Sequence, residues 1–215
     1  MHRGYQHGKV DDGAPGAIRH ARTYELLSAI VFTGSRRRIF GRLVDLAEII
    51  VEDEVLDIGC GPGYLTALAA STGRRSVGVD ASEQMVTEAR RRRTSANCSF
   101  VLGKAEALDL PDASFDVVLS SLAIHHIPED ARIRAFGEMF RVLRPGGRVL
   151  VADFQPPKGH LARHLVGAIA GESMRDNPVE RIAPMLGDAG FDLGATTRVS
   201  WFLHCVRANK PGDAE

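Results

Sequence analysis

The chain has 215 residues, 44% hydrophobic and 25% charged, which suits one globular domain with a substantial core and would be cramped for two. Lysine plus arginine and aspartate plus glutamate each number 27, so the formal net charge is zero and no long-range field recruits nucleic acid or an anionic membrane. The three cysteines, Cys60, Cys98 and Cys205, are widely spaced and outside any CxxC or Cys/His pattern, which argues against a disulfide framework and a metal site and for a reducing cytoplasm.

Residues 1 to about 17 (MHRGYQHGKVDDGAPGA) are rich in Gly, His and charge without apolar periodicity, and are expected to be a flexible tail. No leader pattern is present there, and no apolar run approaches the roughly 18 residues of a membrane helix, so a soluble, cytoplasmic protein without stable membrane association is expected. From Ile18 to Ile50 apolar residues recur at helical spacing. Leu26, Leu27, Ile30 and Val31 form one group, Ile39, Leu43, Leu46, Ile49 and Ile50 another, with a break at Gly34 and Ser35. Strands and helices then alternate: VLDI (55–58), a helix from about Tyr64 to Ser71, SVGVD (76–80), and a helix begun by Ser82 and Glu83. CSFVL (98–102), DVVLS (116–120), a helix from about Glu129 to Leu143 and RVLVADF (148–154) follow. This alternation predicts right-handed crossovers and a parallel sheet covered on both faces. After a helix around Pro178–Ala189, FDLGATTRVS (191–200) and WFLHCVRAN (201–209) are joined without a helix, which predicts an antiparallel pair. One domain over 18–210 is expected. It divides into N-terminal helices (18–50), a cofactor-binding core (51–154), a variable substrate or lid segment (155–190) and a terminal β pair (191–209).

VLDIGCGPGYLT (55–66) is a buried strand running through a glycine turn into a helix. Gly59, Gly61 and Gly63 stand where the backbone must turn sharply and lie close to a ligand, at the carboxyl edge of the sheet where open parallel sheets bind ligands. Asp80 ends the next strand, about 20 residues on, where a carboxylate can accept both hydroxyls of an adenosine ribose. A nicotinamide dehydrogenase would carry a third fingerprint glycine at position 64, and this chain has Tyr64. A GxGxG turn preceded by Asp57 suits a ligand without phosphates, and S-adenosylmethionine is one: Asp57 can face its ammonium group and the loop amides its methionine arm.

VLDIGCGPG, VGVDAS, GKAEALDLPDASFDVVLSSLAIHH and RVLRPGGRVLVADF together resemble the class I S-adenosylmethionine-dependent methyltransferases, particularly the small-molecule branch often called type 11, and more distantly the ubiquinone/menaquinone biosynthesis methylases. The likeness spans roughly Val55 to Phe154. It implies a Rossmann-like α/β fold: a seven-stranded, mostly parallel sheet of order 3-2-1-4-5-7-6, strand 7 antiparallel, with helices on both faces. It further implies that Asp57, Gly59, Cys60, Gly61 and Gly63 line the methionine arm, that Asp80 binds the ribose, and that Ala81 and Met85 flank the adenine. Where the family commonly reads GDAE, this chain reads Gly103, Lys104, Ala105, Glu106. Lysine has no acceptor for the adenine amino group, so that contact falls to the backbone around Ala105 or to Glu106. Asp109 stands where proline is usual and is expected to be a solvated loop residue. Ser120, ending the fourth strand, would face the cofactor, and Tyr24 in the N-terminal helices would touch it.

No Asn-Pro-Pro-aromatic cluster follows Ser120, which disfavours DNA and protein acceptors. The expected enzyme transfers a methyl group in line to an oxygen, nitrogen or carbon nucleophile of a small molecule, leaving S-adenosylhomocysteine. A non-catalytic S-adenosylmethionine-binding protein and a dehydrogenase are the alternatives. If the acceptor is a hydroxyl, His125 or His126, just past the fourth strand, is a candidate general base, with helix-start packing as the competing role. His160 and His164, four apart on a possible helix, would line a lid or pack in the core. Arg36–Arg38 and Arg90–Arg93 could suggest phosphate binding, but each cluster sits in a predicted helix and is expected to be a solvated face or to meet a helix C-terminal dipole.

Overall fold

The computed structural model describes residues 35–155 and 181–213. The N-terminal tail, the first helical group with Tyr24, and His160 and His164 lie outside them. Helix α1 (Arg36–Leu46) buries Ile39, Phe40, Leu43 and Val44, a stripe at helical spacing. It stops earlier than the apolar spacing suggests. Ala47 closes its end, and Glu48 takes a left-handed φ of 52°, so Ile49 packs in the core beyond the helix and Ile50 is 56% exposed.

Seven strands follow: β1 (Glu54–Ile58), β2 (Arg75–Asp80), β3 (Cys98–Leu102), β4 (Phe115–Ser121), β5 (Leu143–Phe154), β6 (Asp192–Arg198) and β7 (Leu203–Asn209). They form one sheet of order β3-β2-β1-β4-β5-β7-β6. The pairs β3·β2, β2·β1, β1·β4 and β4·β5 are parallel, and β7 is antiparallel to both β5 and β6, as the helix-free connection at 199–202 requires. Between strands lie α2 (Tyr64–Ala70), α3 (Glu83–Arg93), a 3-10 turn (Ile124–His126), α4 (Glu129–Val142) and α5 (Ile182–Asp188).

Alternation along the central strands divides the core between the two faces of the sheet. Leu56, Val118, Val149 and Val151 pack with Phe136 and Met139 of α4 and Ile182 and Leu186 of α5. Val55, Val117, Leu119 and Leu150 pack with Ile39, Phe40 and Leu43 of α1 and Leu65 and Ala69 of α2. A smaller cluster joins α3 to β3 through Val86, Ala89, Cys98 and Phe100.

Strand β5 begins five residues before the expected Arg148. Leu143 pairs with Phe115, Gly146 turns the chain with φ 75°, and the ladder resumes at Arg148 opposite Val117. The apolar pattern identifies only the regular half, because the first half is a bulged segment whose Arg, Pro and Gly residues carry no strand signal.

Candidate cofactor and active site

The turn after β1 is held from below by strand β2. Gly59 and Cys60 both donate their N–H groups to the Val79 carbonyl, at 2.8 and 3.0 Å, and Gly63 donates to the Cys60 carbonyl at 3.0 Å. Gly59, Gly61 and Gly63 have φ of 71°, 52° and 79°, the left-handed region that side chains resist. Space excludes a Cβ as well: at Gly59 it would lie 2.2 Å from Ala123 Cβ, and at Gly63 2.4 Å from Phe100 Cε1. The glycine turn is thus packed against the segment leaving β4.

Asp80 clamps this turn. Its Oδ2 accepts the Gly61 N–H at 2.8 Å and its Oδ1 accepts the Ser82 N–H at 2.9 Å. Burial pushes its pKa up and these two bonds oppose that. Two carboxylate oxygens offer about four acceptor sites. Two remain for hydroxyl donors such as a ribose diol, so the residues present fit an adenosine ligand.

Asp57, 1% exposed, accepts the Thr66 hydroxyl at 2.6 Å. Burial pushes its carboxyl up to about 7, with the Thr66 bond opposing and the Asp80 charge adding to the rise. It lines a cleft whose walls include Arg36, Phe40, Gly59, Tyr64 and Ser121.

The other expected contact residues differ in exposure. Cys60 borders the cleft, but it packs among Ala70, Val86, Ala89, Cys98 and Phe100, and burial holds its thiol well above the usual range. Ser120 is fully buried, and it is Ser121 that lines the cleft, since successive strand residues point to opposite faces. Ala81 is exposed and Met85 buried, its N–H on the Ser82 hydroxyl that caps α3. Lys104 is exposed in a tight turn closed by the Ala107 N–H on its carbonyl, with Ala105 against the core and Glu106 half-buried. The Gly103 N–H donates to the Asp80 carbonyl, which joins this turn to the end of β2. Asp109 is exposed, as expected.

The two arginine clusters are solvated only in part, and Arg90–Arg93 fill the last turn of α3, where a helix dipole favours cations. Arg37 and Arg38 are exposed, whereas Arg36 turns into the cleft with its guanidinium 4.4 Å from the Tyr64 ring centroid and 5.9 Å from that of Phe40. Arg90 donates to the Phe100 carbonyl and Arg93 to the Pro62 carbonyl, tying α3 to β3 and to the glycine turn, while Arg91 and Arg92 pair with Glu88.

His125 is buried, with its Nδ1 2.7 Å from Asp153 Oδ1. The same carboxylate accepts the His125 and Phe154 N–H groups at 3.2 and 2.7 Å. An Nδ1–H donated to Asp153 leaves Nε2 as the acceptor nitrogen. His126 is exposed, its ring centroid 4.0 Å from that of His125, and partial desolvation and then its neighbour push its pKa down. Neither imidazole lines the cleft.

Asp153, Arg36, Thr66 and Ser121 were not anticipated from the sequence. Arg36 could have been, because it falls at helical spacing with Ile39, Phe40 and Leu43. Asp153 is a charged residue near the end of a strand otherwise apolar from Val149, at the carboxyl edge. Leu122, beside Ser121, has a φ of 56°, a strained backbone of the kind that clusters at functional sites.

A family model described as a methyltransferase domain matches residues 55–147. The chain is 32% identical over 226 residues to the demethylmenaquinone methyltransferase of Paenarthrobacter aurescens (strain TC1), covering 94% of this chain and 85% of that protein. It is 35% identical over 137 residues to the demethylmenaquinone methyltransferase of Beutenbergia cavernae, covering 64% of this chain and 55% of the relative. The chain spans about half the length of most of the curated relatives it matches. Among solved structures, one of an S-adenosylmethionine-dependent methyltransferase from Aquifex aeolicus superposes with a TM-score of 0.69 at 19% identity, over 88% of this chain and 97% of that one. That likeness is one of fold.

Proposed function

The chain belongs to the class I S-adenosylmethionine-dependent methyltransferases, and from that premise we propose that it methylates an oxygen, nitrogen or carbon atom of a small-molecule acceptor held over the glycine turn. The observation that carries this reading is the pair of carboxyl groups, Asp57 and Asp80, flanking a glycine turn at the carboxyl edge of the sheet. A ligand with a ribose diol and an ammonium group meets an acceptor for each there, and neither carboxyl group offers a pyrophosphate a donor in its ionised form.

When bound, S-adenosylmethionine supplies an electrophilic methyl group on a sulfonium. The protein's part is placement. In this reading Asp80 holds the ribose with the lone pairs left by Gly61 and Ser82, Asp57 faces the ammonium, and Ala81, Met85 and the turn at 103–107 flank the adenine. Near-attack geometry alone can supply about 7–11 kcal/mol through effective concentration, so a catalytic side chain is optional. For a hydroxyl acceptor, His125, with its Nδ1 on Asp153, or His126 is the candidate base, on the turn after β4 rather than in the cleft wall. The demethylmenaquinone methyltransferases among the relatives support a small organic acceptor, and zero net charge argues against nucleic acid.

Calorimetry tests the cofactor assignment. Asp80→Ala should weaken S-adenosylhomocysteine binding about tenfold or more, with charged-partner hydrogen bonds lost. Unchanged affinity, or thermal protection by NAD with none by S-adenosylhomocysteine, would sink it. Turnover of labelled cofactor against phenols, amines and quinols then separates an enzyme from a protein that only binds the cofactor.

A further inference from the structure

We infer that Arg141 and Glu138 are positioning residues for the cofactor: from α4, outside the cleft, they hold the segment 103–114 so that its first turn stands ready against the adenine. This rests on the methyltransferase reading above, which puts the turn at 103–107 beside the base, and adds what fixes that turn in place. The first observation concerns backbone groups. Between β3 and β4 the chain runs from 103 to 114 without a helix or strand, so beyond the Lys104–Ala107 turn its polar groups need partners from elsewhere. Strand β2 holds one end, where the Gly103 N–H donates to the Asp80 carbonyl at 3.0 Å. Helix α4 holds the rest. Leu108, just past the turn, donates its N–H to Glu138 Oε2 at 2.7 Å, and its carbonyl accepts from Arg141 Nη2 at 3.0 Å. Arg141 Nη1 donates to the Leu110 carbonyl at 2.8 Å and to Asp112 Oδ1 at 2.6 Å. The Ala113 and Ser114 N–H groups then donate to the carbonyls of Arg141 and Val142, at 3.0 and 2.8 Å.

The second is the saturation of one guanidinium. Glu138 and Arg141 stand three apart on α4 and meet as a bidentate pair, Nε on Oε1 and Nη2 on Oε2, each at 2.8 Å. With Leu108, Leu110 and Asp112 added, all five N–H donors of Arg141 have an acceptor, and three of those acceptors belong to the segment. The Arg141 bond holds the Glu138 carboxyl below its ordinary value, so the pair is ionised at neutral pH. Lysine keeps the charge but has three donors on a flexible stem, and cannot reproduce this planar set.

The third is the division of labour along the segment. Ala105, Leu108 and Leu110 pack against the core, which fixes their side chains. Lys104, Ala107 and Asp109 are exposed, so packing does not fix the backbone between them. The polar tethers do, and they come from half-buried side chains that do not line the cleft. Without them the turn samples other arrangements, and a ligand that needs one arrangement binds more weakly in proportion to the fraction of chains that hold it.

The test joins calorimetry to amide hydrogen exchange on the full chain. Arg141→Lys should weaken S-adenosylhomocysteine about tenfold and speed exchange across 103–114 by a similar factor in the ligand-free chain, with saturating ligand restoring slow exchange. Glu138→Gln should move both in the same direction by less. Arg148, paired with Asp53 at the amino end of the sheet, supplies the control for general destabilisation: Arg148→Met should leave both readouts unchanged where it is folded. Unchanged S-adenosylhomocysteine affinity in Arg141→Lys, or in Glu138→Gln should the first variant fail to fold, overturns the inference. So does an affinity loss without faster exchange in 103–114, one accompanied by equally faster exchange throughout the sheet, or an equal affinity loss in Arg148→Met. Wild-type chain that does not bind S-adenosylhomocysteine overturns the methyltransferase reading, and this inference with it.

Discussion

Asp57 is a carboxyl group kept at 1% exposure beside the charge of Asp80, with one hydroxyl donor to compensate it. Its folded-state pKa, about 7, lies above the ordinary value of 3.8, so the folded chain retains a proton that the unfolded chain has released. Stability therefore declines as pH rises from 3.8 to about 7 and is level above that. The full effect of such a shift is on the order of 4 kcal/mol. Asp57→Asn, which keeps the acceptor for Thr66, should flatten the dependence of Tm on pH across that window. It should also raise Tm at pH 8 while weakening S-adenosylhomocysteine. A Tm that still falls with the same slope in the variant would assign the dependence to other groups. Two links are thereby joined at one residue: what destabilises the empty fold is what prepares the cleft for a cation. The strand position of Asp57 was legible in VLDIGCGPG, but its protonation was not, because burial and the nearness of Asp80 are produced by the packing of β1 against β2.

The glycine turn is the element whose requirement was most legible, since a strand, a GxGxG run and a helix are all local in sequence. What the sequence does not disclose is which neighbour enforces it. At Gly59 the enforcing atom is the Ala123 Cβ, 64 positions away in the segment after β4. Gly59→Ala combines a left-handed backbone cost of about 1–2 kcal/mol with overpacking of about 1–3 kcal/mol. Adding Ala123→Gly removes the collision and not the backbone strain. Urea unfolding of the two single variants and the double variant should give a favourable coupling of about 1 kcal/mol or more. Strict additivity would show that the turn and the β4 exit move apart freely. The same contrast explains the arginine clusters. Their helical location follows from the residue pattern, whereas the acceptors of Arg90 and Arg93, the carbonyls of Phe100 and Pro62, belong to other elements.

At the scale of the molecule, the two ends of the sheet have different tasks. The carboxyl ends of β1 and β4 carry the cleft, and the amino end is fastened by Arg148. Its guanidinium donates to the carbonyls of Ala47 and Glu48 at 2.7 and 2.6 Å and pairs with the buried Asp53 carboxylate, joining β5 to the connection between α1 and β1. Removing one partner of a buried pair leaves the other uncompensated, so Arg148→Met should cost about 3 kcal/mol in chemical denaturation. S-adenosylhomocysteine affinity at temperatures where the variant is folded should be unchanged; a matching loss of affinity would show the two ends to be coupled. Among the described residues no helix is long and apolar enough to cross a membrane. By itself the sequence determined the alternation of strands and helices, the antiparallel terminal pair and the glycine turn with Asp57 before it, because each is written in residues close together along the chain. The family likeness supplied the strand order. Only the tertiary structure decided that Ser121 rather than Ser120 faces the cleft, that His125 is tied to Asp153, and that Arg36 turns inward over Tyr64. Those outcomes depend on how distant elements pack, which sets the burial, the partner and the direction of a side chain.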